Sequence, residues 1–244
     1  MRVTRVHVDA PLAAGRRLAL PVDAAAYLTR VLRLQPGDDC VLFNGDGVDY
    51  PARLLAAGKR GADVEILGAQ PVDNESPLRI VLLQGIARGE KMDWILQKAT
   101  ELGVAAFVPV SSERSEVRLG DDARAAKRLA HWQGVVASAC GQSGRATIPP
   151  VAAPQSLESA WSALPAGPRF LLDPGAAQAV ARLAPLAGDC VLAVGPEGGW
   201  SPRDREQLVG AGFAGLRLGP RVLRTETAGI AAIAALQARF GDLM

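Results

Sequence analysis

Two glycine-bearing turns near the carboxyl end of the chain carry the residue types best suited to chemistry. The first, residues 195–200, reads Gly-Pro-Glu-Gly-Gly-Trp and follows the buried-strand pattern of residues 191–194. The second, residues 219–227, reads Gly-Pro-Arg-Val-Leu-Arg-Thr-Glu-Thr and precedes an Ala/Ile/Leu-rich helix that runs to Phe240. Turns of this kind expose backbone N–H and C=O groups at the carboxyl edge of a sheet, where α/β proteins bind ligands. Two neighbouring turns therefore predict a small-molecule pocket.

The ligand class follows from what the turns lack. The sequence contains no Gly-Lys-Ser/Thr, so a P-loop is excluded, and residues 195–199 have neither the spacing nor the early position of a dinucleotide fingerprint. It also contains no HExxH or GxSxG motif. Backbone at two turns, flanked by Leu172, Leu218 and Leu223, suits an adenine but offers little to a triphosphate. S-adenosylmethionine, which carries an adenine and a sulfonium but no phosphate, fits this description.

The first part of the chain has the pattern of a small β-barrel. Short strand-like runs separated by Pro, Gly and Asn-Gly punctuation are typical of such a barrel. One helix, capped by Asp23 and continuing to Leu34, interrupts the runs. A polar, proline-bracketed stretch at residues 70–77 is expected to be a linker. The predicted strands are residues 3–8, 17–20, 39–43, 50–55 and 62–67.

After this stretch the pattern alternates between strands and helices. Alternation of this kind predicts an α/β domain with a mostly parallel sheet covered on both faces. Ser201, Pro202 and Asp204 have the spacing of a helix start. The predicted strands are residues 79–84, 105–110, 169–172 and 190–194, and the predicted helices are residues 91–102, 121–140, 157–164 and 176–183.

Composition narrows the class of protein. The chain has 244 residues, of which 49% are hydrophobic, and a formal net charge of +2. No apolar run approaches the roughly 18 residues that cross a bilayer, and the N-terminus lacks a signal-peptide pattern, so a cytoplasmic protein is expected. Cys40, Cys140 and Cys190 are far apart with only two histidines to join them, so no metal site is expected and each thiol is predicted to be buried. Arginine outnumbers lysine, which suits phosphate contacts but also follows from a GC-rich genome.

A resemblance is carried by a series of motifs along nearly the whole chain. Residues 195–199, followed by Leu-Gly-Pro-Arg-Val-Leu-Arg-Thr-Glu-Thr-Ala at 218–228, resemble the bacterial family that methylates N3 of one uridine in 16S ribosomal RNA. That family belongs to the SPOUT superfamily of knotted methyltransferases. The similarity extends to residues 31–38, 97–104, 113–114 and 142–145, with Pro109 and Pro149.

The resemblance implies the organisation and the chemistry. It implies a PUA-like β-barrel RNA-binding domain at residues 1–72 and a C-terminal knotted SPOUT domain at residues 73–244. It also implies S-adenosylmethionine as methyl donor, 16S rRNA in the small ribosomal subunit as substrate, and a homodimer. A non-catalytic RNA-binding assembly factor is the alternative, although the glycines of both turns argue against it. A nucleotide-dependent enzyme is disfavoured by the missing P-loop.

Three sets of site residues follow from the turns and the resemblance. For catalysis, Arg224 or Arg145 is expected to stabilise charge on the uracil, and Glu226 or Glu197 to accept the N3 proton. Each has a structural alternative, such as a salt bridge, a helix start or a turn hydrogen bond. The residues expected to bind the cofactor are Leu172, Gly195, Pro196, Glu197, Gly198, Gly199, Leu218, Gly219, Val222, Leu223 and Thr227. The residues expected to bind RNA are Arg30, Arg33, Arg114, Gln142 and Arg145.

Overall fold

The structure is a computed structural model that describes residues 4–58, 61–116, 122–186 and 188–243. The chain divides into two compact units. The first comprises Met1–Glu75 and Ala137–Ile148, and the second comprises Ser76–Val136 and Pro149–Met244. The boundary expected at residues 72/73 stays a prediction about domains. The first compact unit differs from the predicted first domain because it also includes residues 137–148, which are distant in sequence.

The framework of the first unit is a sheet whose strand order is β1-β3-β4-β5-β2, with β6 paired to β4. β1 and β3 are parallel, and the other pairs are antiparallel. Alternate residues of β5 (Ala62, Val64 and Ile66) point into a buried apolar core. The predicted first strand begins at residue 3, which lies outside the described residues. The strands are β1 (Arg5–His7), β2 (Arg17–Ala19), β3 (Asp39–Phe43), β4 (Val48–Gly58), β5 (Gly61–Ile66) and β6 (Gln70–Pro71).

The helix of the first unit differs from its prediction. Helix α1 spans Val22–Ala26, and a π-helical turn, Tyr27–Val31, follows it. The predicted cap at Asp23 is wrong, because Pro21 precedes the first helical residue and no side chain caps the helix. Pro21 is the residue before the helix, with a φ of −52° and an extended ψ of 150°.

The second unit is built on a sheet with strand order β12-β10-β11-β7-β8-β9. Every neighbouring pair is parallel, as the strand–helix alternation predicted. The carboxyl ends of the strands therefore meet at one edge. The strands are β7 (Leu78–Gly85), β8 (Ala106–Ser111), β9 (Gln155–Ser156), β10 (Arg169–Leu172), β11 (Gly188–Val194) and β12 (Ala214–Leu216).

Alternate side chains of the central strands face opposite sides of this sheet. Val81 and Leu83 of β7 belong to a core cluster with Leu208 of the helix that follows β11. The last helix packs on β7, on β11 and on the helix that follows β7. The longer helices are α2 (Glu90–Glu101), α3 (Asp122–Ser143), α4 (Pro202–Gly210) and α5 (Thr225–Phe240). The predicted start of the third helix, residue 121, lies outside the described residues.

Two predicted helices and the linker are corrected by the structure. Residues 157–164 form a 3₁₀ helix, Glu158–Ala163, in which Ser159 donates its N–H to the Ser156 hydroxyl. Residues 176–183 form only a 3₁₀ turn, Val180–Arg182, because Gln178 and Ala179 pair with Arg217 instead. In the expected linker, residues 70–71 form strand β6.

The three cysteines are free and buried, as predicted. Burial raises the pKa of the Cys40 and Cys140 thiols to about 11 and that of Cys190 to about 12, so none is a reactive thiolate at neutral pH. Within the described ranges, no three His, Cys, Asp or Glu side chains form a group that could hold a metal ion. In the same part of the chain, no helix has the length and apolar character needed to span a membrane.

Candidate functional site

A cavity of about 510 Å³ opens at the carboxyl ends of β10, β11 and β12. Its volume lies within the roughly 300–1,000 Å³ of small-molecule sites. The first of the two predicted turns forms one part of its wall, and the second turn with the start of α5 forms another. Every residue of the predicted cofactor set except Thr227 lines the cavity. Their contact with a cofactor stays a prediction, but the structure does bring them together.

The first turn, residues 195–200, is held in shape by its glycines. The N–H of Gly199 donates to the carbonyl of Pro196 at 2.8 Å, which closes the turn, and Gly199 has a left-handed φ of 65°. A Cβ on Gly195 would lie 3.1 Å from the backbone nitrogen of Trp200, so the chain packs tightly on itself. Helix α4 then begins at the predicted capping box, in which Ser201 and Asp204 exchange hydrogen bonds.

The Glu197 carboxylate is committed to partners on the segment that follows β7. It accepts the backbone N–H of Arg88 at 3.1 Å and the ammonium of Lys91 at 3.2 Å. Burial alone would raise the pKa of Glu197, but these hydrogen bonds and the Lys91 charge outweigh it and lower the pKa below its ordinary value. Glu197 is therefore an anion at neutral pH and a weak proton acceptor.

The second turn contributes three charged residues to the cavity wall, Arg221, Arg224 and Glu226. Arg224 is exposed and stands immediately before α5, whereas Glu226 is half-buried in the first turn of that helix. Both line the cavity. The Oε2 atom of Glu226 is buried and has no hydrogen-bond partner among the described residues. A cavity-lining carboxylate with a buried, unpaired oxygen is a candidate for contact with a ligand.

Sequence reasoning missed an ion pair in the cavity wall. Asp173, directly after β10, pairs with Arg205 of α4, and both side chains line the cavity. Asp173 also accepts the N–H of Gly175 at 2.9 Å. The one sequence signal that could have identified Asp173 is its position, because it follows a buried strand at the sheet edge where ligands bind.

Arg114, predicted to contact RNA, also lies at the cavity. Its guanidinium donates to the carbonyl of Gly198 at 3.1 Å. A Cβ on Gly198 would lie 3.0 Å from the Cβ of Arg114, so a larger residue there would force the two segments apart by a few tenths of an ångström. The segment after β8 is thereby joined to the first turn.

Other predicted residues lie elsewhere. Thr227 is exposed on α5 and does not line the cavity, which gives no support to its predicted cofactor contact. Arg30, Arg33 and Gln142 are exposed and belong to the first compact unit. Arg33 adopts a left-handed φ of 59°, uncommon for a residue with a side chain. Their RNA contacts stay predictions.

Arg145 is buried rather than exposed to solvent. It is 4% exposed, and its guanidinium makes a two-pronged ion pair with Glu75, at 2.9 Å and 2.5 Å. Its carbonyl accepts from Arg5, which itself pairs with Asp49. All four residues belong to the first unit. This arrangement matches the structural alternative that the sequence left open for Arg145.

Family comparisons agree with this geometry. A family model described as an RNA methyltransferase domain matches residues 74–237, and one described as an RNA methyltransferase PUA domain matches residues 20–67. A ribosomal RNA small subunit methyltransferase E from Buchnera aphidicola is 34% identical over 99% of this chain and 98% of its own. The chain belongs to the ribosomal RNA small subunit methyltransferase E family. The counterpart from Mycobacterium bovis is also 34% identical, over 94% of this chain and 89% of its own.

Solved structures of similar proteins have the same fold. The Neisseria gonorrhoeae ribosomal RNA small subunit methyltransferase E, solved with S-adenosyl methionine, is 42% identical with a TM-score of 0.91. A Legionella pneumophila methyltransferase, solved with the cofactor SAM, is 36% identical with a TM-score of 0.95. Both matches cover 100% of each chain. The predicted fold class, a PUA-like domain followed by a SPOUT-type α/β domain with a mostly parallel sheet, is confirmed.

Proposed function

We propose that this chain is an S-adenosylmethionine-dependent methyltransferase that methylates N3 of one uridine in 16S rRNA within the small ribosomal subunit. The observation that carries the proposal is the cavity built by both glycine-bearing turns at the carboxyl edge of the sheet. Family membership supplies the reaction class. The Neisseria and Legionella relatives, each solved with the methyl donor bound, support the choice of cofactor.

The cavity residues fit this cofactor. A Cβ on Gly219 would meet nothing within 4 Å, so the backbone there leaves open space in the cavity wall for a flat ring. Leu172, Leu218 and Leu223 supply apolar faces for an adenine. The carboxylates of Glu197 and Glu226 favour a positively charged sulfonium. When bound, the cofactor supplies an electrophilic methyl group.

The residues of this chain would prepare the uridine. Its N3–H is a weak acid, so N3 must lose a proton before its lone pair can attack a methyl group. Glu226, whose Oε2 lacks a partner among the described residues, is the better acceptor than Glu197, which is already bonded to Arg88 and Lys91. Arg224 at the cavity would stabilise the charge left on the uracil oxygens. Arg145 is unsuited to that role, because Glu75 already neutralises it.

The RNA contacts are assigned to both parts of the chain. The match of residues 20–67 to a PUA domain supports RNA binding by the first unit, with Arg30 and Arg33 as exposed cations there. The position of Arg114 at the cavity supports a contact with the target nucleotide or its neighbours. The uridine must be unpaired or turned out of its helix to reach any such pocket. A homodimer in the cytoplasm is proposed from the resemblance, and light scattering of the purified protein tests the dimer.

Binding of the cofactor is tested first by calorimetry. Wild-type protein should bind S-adenosylmethionine and S-adenosylhomocysteine but neither ATP nor NAD. Binding of ATP or NAD with no binding of S-adenosylmethionine would instead indicate a nucleotide-dependent enzyme. Absence of all binding would favour the alternative of a non-catalytic RNA-binding assembly factor.

Methylation is tested on small subunits from cells that lack the protein. Mass spectrometry should find one methyluridine in the 16S rRNA that appears only after treatment with the wild-type protein. Arg224→Ala should lower the methylation rate at saturating RNA by about 10²–10³-fold, the loss typical of removing one charge-stabilising donor. Arg217→Ala is the matched control, because Arg217 is exposed on the same segment but does not line the cavity. Full activity of the Arg224 variant would remove that residue from the scheme.

A further inference from the structure

A fully buried glutamine stands where β7 reaches the cofactor edge of the sheet. Gln84 is 0% exposed and shares the face of β7 that carries Ile80 and Leu82. Burying an amide among apolar neighbours costs free energy unless it is hydrogen-bonded. Its Nε2 lies 2.8 Å from the carbonyl of Gly85 and 3.2 Å from the Thr225 hydroxyl, with the carbonyl of Val194 at 3.5 Å. The amide nitrogen of Gln84 is therefore hydrogen-bonded, whereas its Oε1 has no hydrogen-bond partner among the described residues.

The direction of each hydrogen bond is set by chemistry. The Thr225 hydroxyl lies 2.5 Å from the carbonyl of Gly195 and donates its single proton there. The hydroxyl must then accept from Gln84, so the atom facing it is the amide nitrogen. The carbonyls of Gly85 and Val194 can only accept, which requires the same orientation. The hydrogen bonds therefore run in one direction, from the Gln84 amide to the Thr225 hydroxyl and from that hydroxyl to the Gly195 carbonyl.

This chain of bonds joins the two turns of the cavity. Gly195 begins the first turn, and Thr225 begins α5 directly after the second turn. Arg224 and Glu226 flank Thr225 on either side. A displacement of Thr225 would therefore move the proposed catalytic groups relative to the turn that holds Glu197. No other side-chain hydrogen bond between the segments 195–200 and 219–227 occurs among those recorded for the described residues.

We propose that Gln84 and Thr225 form a positioning brace that sets the separation of the two turns. Neither residue is assigned a role in the reaction itself; both act through Gly195, Arg224 and Glu226. The inference rests on the proposed function, since the brace is argued to set the shape of an S-adenosylmethionine site. It adds Gln84, which does not line the cavity, to the residues on which that site depends.

Three substitutions test the brace. Thr225→Val removes the hydroxyl while keeping the branched shape, and Thr225→Ser keeps the hydroxyl. Gln84→Met removes the amide at nearly the same length. Loss of one such bond should raise the Kd for S-adenosylmethionine roughly 3–10-fold in Thr225→Val and in Gln84→Met. Thr225→Ser should bind within about twofold of wild type, as only a methyl group is lost. The double variant should have a Kd for S-adenosylmethionine no higher than that of the single variant with the higher Kd, because both substitutions disrupt the same hydrogen-bonded unit.

A matched control separates positioning from stability. Thr100 of α2 is also buried, and its hydroxyl donates to the carbonyl of Leu96 at 2.7 Å. Thr100→Val should lower the melting temperature without changing the Kd. Amide hydrogen exchange in the ligand-free protein supplies a readout independent of the cofactor. Residues 195–200 should exchange faster in Thr225→Val but not in Thr100→Val.

Each outcome decides one of the two proposals. An unchanged Kd and unchanged exchange in Thr225→Val, with a melting temperature lowered as in Thr100→Val, would make the hydroxyl merely structural and overturn the brace. Additive losses in the double variant would overturn the idea of a single unit. If wild-type protein does not bind S-adenosylmethionine, the proposed function fails, and hydrogen exchange alone then confirms or rejects the brace.

Discussion

Replacing Gly85 with alanine tests a close approach between β7 and the first turn. A Cβ built on Gly85 would lie 2.5 Å from Cδ and 2.6 Å from the backbone nitrogen of Pro196. Neither atom can rotate away, because one belongs to a proline ring and the other to the main chain. Gly85 does not have a left-handed φ, so the methyl group itself is the source of the clash. The turn must therefore shift or the strand must bend.

The size of the effect follows from this overlap. Forcing an extra methyl group into a closely packed site costs about 1–3 kcal/mol. A change of 1 kcal/mol shifts the melting temperature of a chain of this size by roughly 2–4 °C. Gly85→Ala should therefore melt about 2–12 °C below wild type. Because Pro196 and its neighbours line the cavity, the affinity for S-adenosylmethionine should fall as well.

Gly229→Ala is the matched control, measured in the same thermal-unfolding and calorimetric assays. Gly229 is also buried against β11, but its Cβ would lie 3.6 Å from Cγ2 of Val194, an ordinary contact. Because alanine favours helix over glycine by up to about 1 kcal/mol, this variant should be as stable as wild type or more so. A Gly85→Ala protein with the melting temperature and Kd of wild type would refute the packing argument.

Three further predictions concern the cavity and its supports. Gly219→Ala should fold normally, because its Cβ would meet no protein atom within 4 Å, yet calorimetry should show weakened binding of S-adenosylmethionine. Ser201→Ala should lower the free energy of unfolding in urea by about 0.5–2 kcal/mol through loss of the α4 cap. The pKa of Glu197 is lowered on folding, so its contribution to stability is present above its ordinary value of 4.5 and is lost as the pH falls through the folded value. The stability advantage of wild type over Glu197→Gln should therefore shrink below about pH 4.5, and an advantage independent of pH would contradict this.

The features that sequence predicted well are those encoded locally. The cap at Ser201 depends on residues three positions apart, and the helix start at Thr225 follows directly from the turn before it. The parallel sheet follows from the alternation of apolar runs with helical patterns, which is again a short-range signal. The helix predicted at residues 157–164 forms only as a 3₁₀ helix, and the one predicted at residues 176–183 shortens to a 3₁₀ turn, for the complementary reason. Their helical pattern was overridden, by serine side chains in one case and by pairing with Arg217 in the other.

The features that sequence did not reveal depend on distant partners. Arg205 meets Asp173 across 32 positions, and Gln84 meets Thr225 across 141. Nothing in the spacing of either pair marks it. In the sequence, Gln84 is simply one polar residue at the end of an apolar run. Its role emerges only when β7, β11 and α5 are brought to the same edge of the sheet.

The same distinction supports a choice among the catalytic candidates that the sequence left open, although their roles stay predictions. Glu197 and Glu226 are both carboxylates near glycine-bearing turns, yet Glu197 is bonded to Lys91 while an oxygen of Glu226 has no partner among the described residues. Arg145 and Arg224 are likewise both arginines of family motifs, yet Arg145 is buried against Glu75 while Arg224 is exposed at the cavity. A charge whose partners are already in place stabilises the fold, and moving it costs that stability. Arg224 is exposed at the cavity and Glu226 Oε2 is unpaired among the described residues, which supports the proposal that these two residues change their interactions during the reaction.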